Sequence, residues 1–84
     1  MIKEVEALRH IAQLVQDAFP GRKVKVWVEQ SVLYPDKKSL IVCVDQYGAL
    51  VTVEIFDSVL EQEIASTLVG MLRDRMDAEE GAEL

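Results

Sequence analysis

Eighty-four residues, half of them hydrophobic, suffice for one small domain and are too apolar for a disordered chain. No apolar run approaches the ~20 residues that span a bilayer, so no membrane association is expected, and the single cysteine, Cys43, excludes an internal disulfide and fits a reducing compartment. The formal charge of −6 is uneven: residues 77–84 hold four acids (Asp77, Glu79, Glu80, Glu83) and no base, leaving eleven acids against nine bases elsewhere, a nearly balanced body with a solubilising acidic end.

The first residues, Met1-Ile2-Lys3-Glu4, carry no apolar signal core, which predicts a cytoplasmic location. Residues 2–19 predict a helix. Ile2, Val5, Leu8, Ile11 or Ala12, Val15 and Phe19 recur at spacings of three and four, with Leu14 and Ala18 widening the stripe. Lys3, Glu6, His10, Gln13 and Asp17 form the opposite, solvated face. Pro20-Gly21 stops the helix, because proline disfavours the helical conformation at Phe19 and glycine permits a reversal.

Three alternating rows follow: Val24, Val26 and Val28; Leu40, Val42 and Val44; Val51, Val53 and Ile55. Successive strand side chains point to opposite faces, so each row lines one side of a strand. The first strand is expected at about 23–29, before a connection with the turn signal Pro35-Asp36. Val32, Leu33 and Tyr34 extend that strand only if a bulge or break near Gln30-Ser31 corrects the parity, since a hairpin at 35–38 pairs Leu33 with Leu40. Tyr47-Gly48 predicts a hairpin between strands 39–45 and 50–56. The hydrophobic pattern then suggests Asp45 opposite Leu50, Val44 opposite Val51 and Val42 opposite Val53.

Ser58-Val59-Leu60-Glu61 is a capping box opening a second helix. Its stripe is Leu60, Ile64, Leu68, Met71 and Leu72, with Ala65, Val69 and Met76 beside it. Arg73 and Arg75 fall in its last turns, where they suit the dipole and stand four residues before Asp77 and Glu79. Gly70, mid-helix, costs about 1 kcal/mol relative to alanine, and a close approach to the sheet or first helix would explain it. The expected fold is α+β, of order α-β-β-β-α: a three-stranded antiparallel meander with two helices packed on one face. Residues 1–77 form the single domain and 78–84 a short, frayed acidic tail.

Catalysis needs convergent polar groups, and few are legible. His10, the only histidine, shares a helix face with Glu6 and Gln13, which suits an exposed residue paired with Glu6 better than a base or metal ligand; a zinc site generally needs several His or Cys. Cys43, mid-strand, lacks the base or cationic surroundings of a nucleophile and reads as a small hydrophobe. The scattered glycines make no phosphate loop. Asp45, Glu54 and Asp57 lack a partner histidine and read as solvated charges. No catalytic residue, metal site or cofactor is predicted.

The order α-β-β-β-α resembles the double-stranded RNA-binding domain, which packs two helices on one face of a three-stranded sheet. That resemblance implies a basic cluster at the start of the second helix, but the chain there reads Asp57-Ser58-Val59-Leu60-Glu61-Gln62-Glu63, which repels phosphate. Its only basic grouping, Arg22, Lys23, Lys25, Lys37 and Lys38, divides between opposite ends of the first hairpin. Neither double-stranded RNA nor DNA is expected as a partner.

The residues between the valines form a second sheet face: Lys23, Lys25, Trp27 and Glu29; Ser39, Ile41, Cys43 and Asp45; Leu50, Thr52, Glu54 and Phe56. The suggested registers bring Trp27 near Ile41 or Cys43, and Ile41 opposite Glu54. An apolar centre with a charged rim is the anatomy of an interface, and tryptophan is enriched at hot spots. Covering by a helix or by the 30–38 loop is the competing expectation. The expected role is a non-enzymatic protein-protein interaction module, either a homodimer or a binder of another protein, with Lys25, Trp27, Ile41, Cys43, Glu54 and Phe56 at the interface. The alternative is an acidic inhibitor of a nucleic-acid-handling machine, acting through Glu61, Glu63, Asp74, Asp77, Glu79 and Glu80.

Overall fold

The computed structural model describes the backbone of residues 2–53 and 58–81 and the side chains of 5–53 and 61–80. Helix α1 (Ile2–Ala18) is followed by strands β1 (Val24–Gln30), β2 (Lys38–Val44) and β3 (Tyr47–Val53), then helix α2 (Ser58–Gly81). The strands form one antiparallel sheet in the order β1-β2-β3. Both helices pack on the same face of it, as the alternating rows require.

The core lies between that face and the helices. Leu40, Val42 and Val44 of β2 are fully buried, with Tyr47 and Ala49 of β3 beside them. Helix α1 contributes Ile11, Val15 and Phe19, and α2 contributes Ala65, Leu68, Leu72 and Met76. The buried line of α1 runs at a spacing of four, Ala7–Ile11–Val15–Phe19, so Ala7 takes the inward place and Val5 stays exposed. On α2, Met71 likewise sits outside the buried line, at 37% exposure.

Helix α1 ends where expected. Gly21 takes a positive φ of 82°, and Gln16 Nε2 donates to the carbonyls of Phe19 and Arg22 at 3.0 and 2.9 Å, tying the last turns of the helix to the reversal that follows.

Strand β1 pairs with β2 through Val24↔Val44, Val26↔Val42 and Val28↔Leu40. The strand stops at Gln30. Ser31 is buried, its N–H donates to the Lys37 carbonyl at 3.2 Å, and its hydroxyl accepts from Tyr34 N–H at 3.2 Å. Those bonds turn the chain at the break near Gln30-Ser31. Val32, Leu33 and Tyr34 therefore do not extend the strand. They form the tip of the connection, 93%, 81% and 51% exposed, and Leu33 does not face Leu40, whose partner is Val28.

The second hairpin differs from the register suggested by sequence. Its turn is Asp45-Gln46, and its pairs are Val44↔Tyr47, Val42↔Ala49, Leu40↔Val51 and Lys38↔Val53. Relative to the expected pairing the third strand slides by four residues, an even number, so every side chain keeps its face. Asp45 holds the turn: it takes a left-handed φ of 54°, which aspartate tolerates. Its N–H donates to the Lys23 carbonyl at 2.9 Å, its Oδ1 accepts from Lys23 N–H at 3.1 Å, and Arg22 lies 3.5 Å from its Oδ2. Tyr47 and Gly48 are thus strand residues.

Gly70 has open space where a Cβ would stand, so no close approach explains it. Arg73 and Arg75 also find partners other than the acids four residues on. Arg73 lies over the Phe19 ring, 5.8 Å from its centroid, and Arg75 Nη1 donates to the Gly48 carbonyl.

Candidate functional site

The register builds the outer face of the sheet in three cross-strand rows. Lys25, Cys43 and Gly48 form the first, Trp27, Ile41 and Leu50 the second, and Glu29, Ser39 and Thr52 the third. The central row is wholly apolar and spans all three strands. Both helices lie on the other side, and Trp27 and Leu50 remain 37% and 47% exposed. The Trp27 indole N–H donates to Glu29 Oε1 at 3.1 Å, which holds the ring along its own strand. Lys23, Lys25, Trp27, Cys43 and Asp45 line a shallow depression of about 300 Å³ at one end of the row.

Four of the expected interface residues are brought together here: Lys25 pairs with Cys43, and Trp27 with Ile41. Glu54 and Phe56 lie outside the described residues. The partner of Ile41 is Leu50, not Glu54, and the difference matters, because it replaces a charge with a third large apolar side chain. Parity alone puts Leu50 on this face, but only the turn at Asp45-Gln46 sets it opposite Ile41.

The charged groups are arranged locally. His10 Nδ1 is 2.6 Å from Glu61 Oε2, so the histidine bridges α1 to the first turn of α2 rather than pairing with Glu6. Sequence offered no signal for that pair, since the two residues are 51 positions apart. Arg22 is 3.7 Å from Glu80 as well as bonded to Asp45, which ties the end of α2 to the start of β1. Arg22 and Lys23 fall at the Val24↔Val44 end of the sheet, and Lys37 and Lys38 at the Gln30↔Lys38 end. Among the described residues no three His, Cys, Asp or Glu side chains converge as metal ligands, and no helix is long and apolar enough to cross a membrane. Glu54 and Asp57 lie outside the described residues, so Asp45 is the described member of that acidic group, and it serves the turn.

Comparison with protein-family models, with curated proteins and with solved structures gives no match.

Proposed function

We propose that the chain is a non-enzymatic protein-protein interaction module that self-associates through the outer face of its sheet. The observation that carries this reading is the Trp27–Ile41–Leu50 row, an apolar stripe across all three strands that neither helix covers. A solvated sheet face alternates to polar residues, and exposed apolar patches with polar rims mark docking surfaces. An enzymatic reading has less support. His10 lies on a helix covering the inner face and Cys43 on the outer face, so the sheet separates the only histidine from the only cysteine. The acidic-inhibitor reading also has less support, because Glu61 and Glu80 already have partners within the chain. A single cysteine suits a reducing compartment, which supports the cytoplasmic reading.

The test is sedimentation of wild-type protein and Trp27→Ala over a concentration series, with thermal melts as the check on folding. Trp27→Ala is expected to weaken association by about tenfold or more, as for a hot-spot tryptophan, with a near-native melt. A variant that folds and associates like wild type would overturn the reading.

A further inference from the structure

Charge on the outer face is antisymmetric about Trp27. Lys25 precedes it on β1, and Glu29 follows it at the same distance. Lys25 and Glu29 are both exposed, and their rows are otherwise uncharged: Cys43 and Gly48 in one, Ser39 and Thr52 in the other. Beyond these rows, Arg22, Lys23 and Asp45 lie past the Lys25 end, where Lys23 N–H and Arg22 hold the Asp45 carboxylate, and Lys37 and Lys38 lie past the Glu29 end. A two-fold contact demands this kind of self-complementarity, in which residue i meets residue j and j meets i.

We propose, on the reading of this face as the docking surface, that its occupant is a second copy of the chain, packed sheet to sheet about a two-fold axis running along the Trp27–Ile41–Leu50 row. That axis reverses strand direction and leaves the cross-strand order unchanged. Each central apolar residue then meets its own counterpart, and Lys25 of each copy meets Glu29 of the other at both ends of β1. Sheets pack about 10 Å apart, a gap that a lysine and a glutamate bridge together. The other two-fold, along the strand direction, reverses the cross-strand order instead: β1 then lies over β3 of the other copy, with Lys25 opposite Gly48 and Glu29 opposite Thr52, so neither charge meets its complement.

Size sets the strength. Three strands about 4.8 Å apart and seven residues long give a footprint of roughly 14 by 23 Å, well under the ~800 Å² per partner of a standard stable interface. The dimer is therefore weak and forms at micromolar concentration or above.

The experiment is native mass spectrometry and sedimentation equilibrium, up to millimolar chain, on wild type, Lys25→Glu, Glu29→Lys, their double variant and their 1:1 mixture. Each single variant is expected to lose about tenfold in self-association, since like charges then face each other. The double variant recovers wild-type affinity, and the mixture forms a heterodimer stronger than either homodimer. Glu29→Lys separates this from a net-charge effect: it brings the chain from −6 closer to neutrality, which by itself favours association, yet it is expected to weaken the dimer. Single variants that dimerise like wild type, or a mixture without preference for the heterodimer, would overturn the orientation while leaving self-association through Trp27 intact. A wild-type chain that stays monomeric at millimolar concentration would overturn both. Leu50→Glu removes the alternative in which β1 pairs edge to edge with its copy, because that pairing leaves Leu50 outside the contact. Face packing predicts loss of the dimer, and its survival would overturn the face-to-face geometry.

Discussion

The two faces of one sheet use neighbouring residues to opposite ends. Leu40, Val42 and Val44 point inward and are fully buried. Ile41 and Cys43, one position along the same strand, point outward beside Trp27 and Leu50, and no helix covers them. The inner face is closed by Ile11, Val15, Leu68 and Leu72, so its apolar surface is consumed in folding. The outer face keeps apolar surface that folding leaves exposed, and such surface is available for association. Adjacent residues of similar hydrophobicity are thus buried in the core in one case and left outside it in the other, and the pleat alone separates them.

The comparison is broken most directly at neighbouring positions. Leu40→Ala is expected to destabilise the fold by about 2–5 kcal/mol, the range for a buried leucine that leaves a cavity. Ile41→Ala, half-buried on the outer face, is expected to cost only about 1 kcal/mol in the monomer, and to weaken association instead. Chemical denaturation of both variants below the dimerisation range checks this, and equal losses would erase the distinction between the faces.

A smaller effect is expected at the turn that aligns the outer row. Asp45→Ala puts a β-carbon without a hydrogen-bonding carboxylate at a left-handed position and removes the acceptor of Lys23 N–H. The expected cost is about 1–2 kcal/mol, read from urea denaturation midpoints. Asp45→Gly restores the backbone freedom but not the carboxylate, and recovers only part of the loss. A variant as stable as wild type would mean that the hydrophobic rows hold the register without the turn.

The smallest change runs the other way. Gly70 is exposed on α2, with open space where a side chain would stand. Gly70→Ala is therefore expected to stabilise the protein by about 1 kcal/mol, raising the thermal midpoint without altering association through the opposite side of the molecule. A loss of stability would show that this part of the helix needs glycine for a reason other than space.

Much of the fold was legible in the chain because periodicity is local. The α1 stop follows from Pro20-Gly21, the start of α2 at Ser58 from the capping box, and the faces of residues 24–29, 39–44 and 50–53 from the period of two. Four of the six expected interface residues share one described face for the same reason. The β2–β3 register was not legible: a slide of four residues keeps every side chain on its face, so parity has no power to choose between turns. Tyr47-Gly48 carries the stronger turn signal by composition. Asp45-Gln46 forms the turn because Asp45 also bonds to Lys23 and Arg22, residues more than twenty positions away. The capping role of the Ser58 side chain lies outside the described residues.

By itself, then, the sequence determined the order of the elements, the separation of an aliphatic face from a mixed one, and the presence of Trp27 at the centre of the second. Only the tertiary structure decided that Leu50 completes the row, that His10 reaches Glu61, that Gly70 faces open space and that Val32, Leu33 and Tyr34 project from a loop. The physical reason is the range of the interactions. Faces are set by backbone geometry within a few residues, whereas register, ion pairing and exposure are set by contacts between segments distant along the chain.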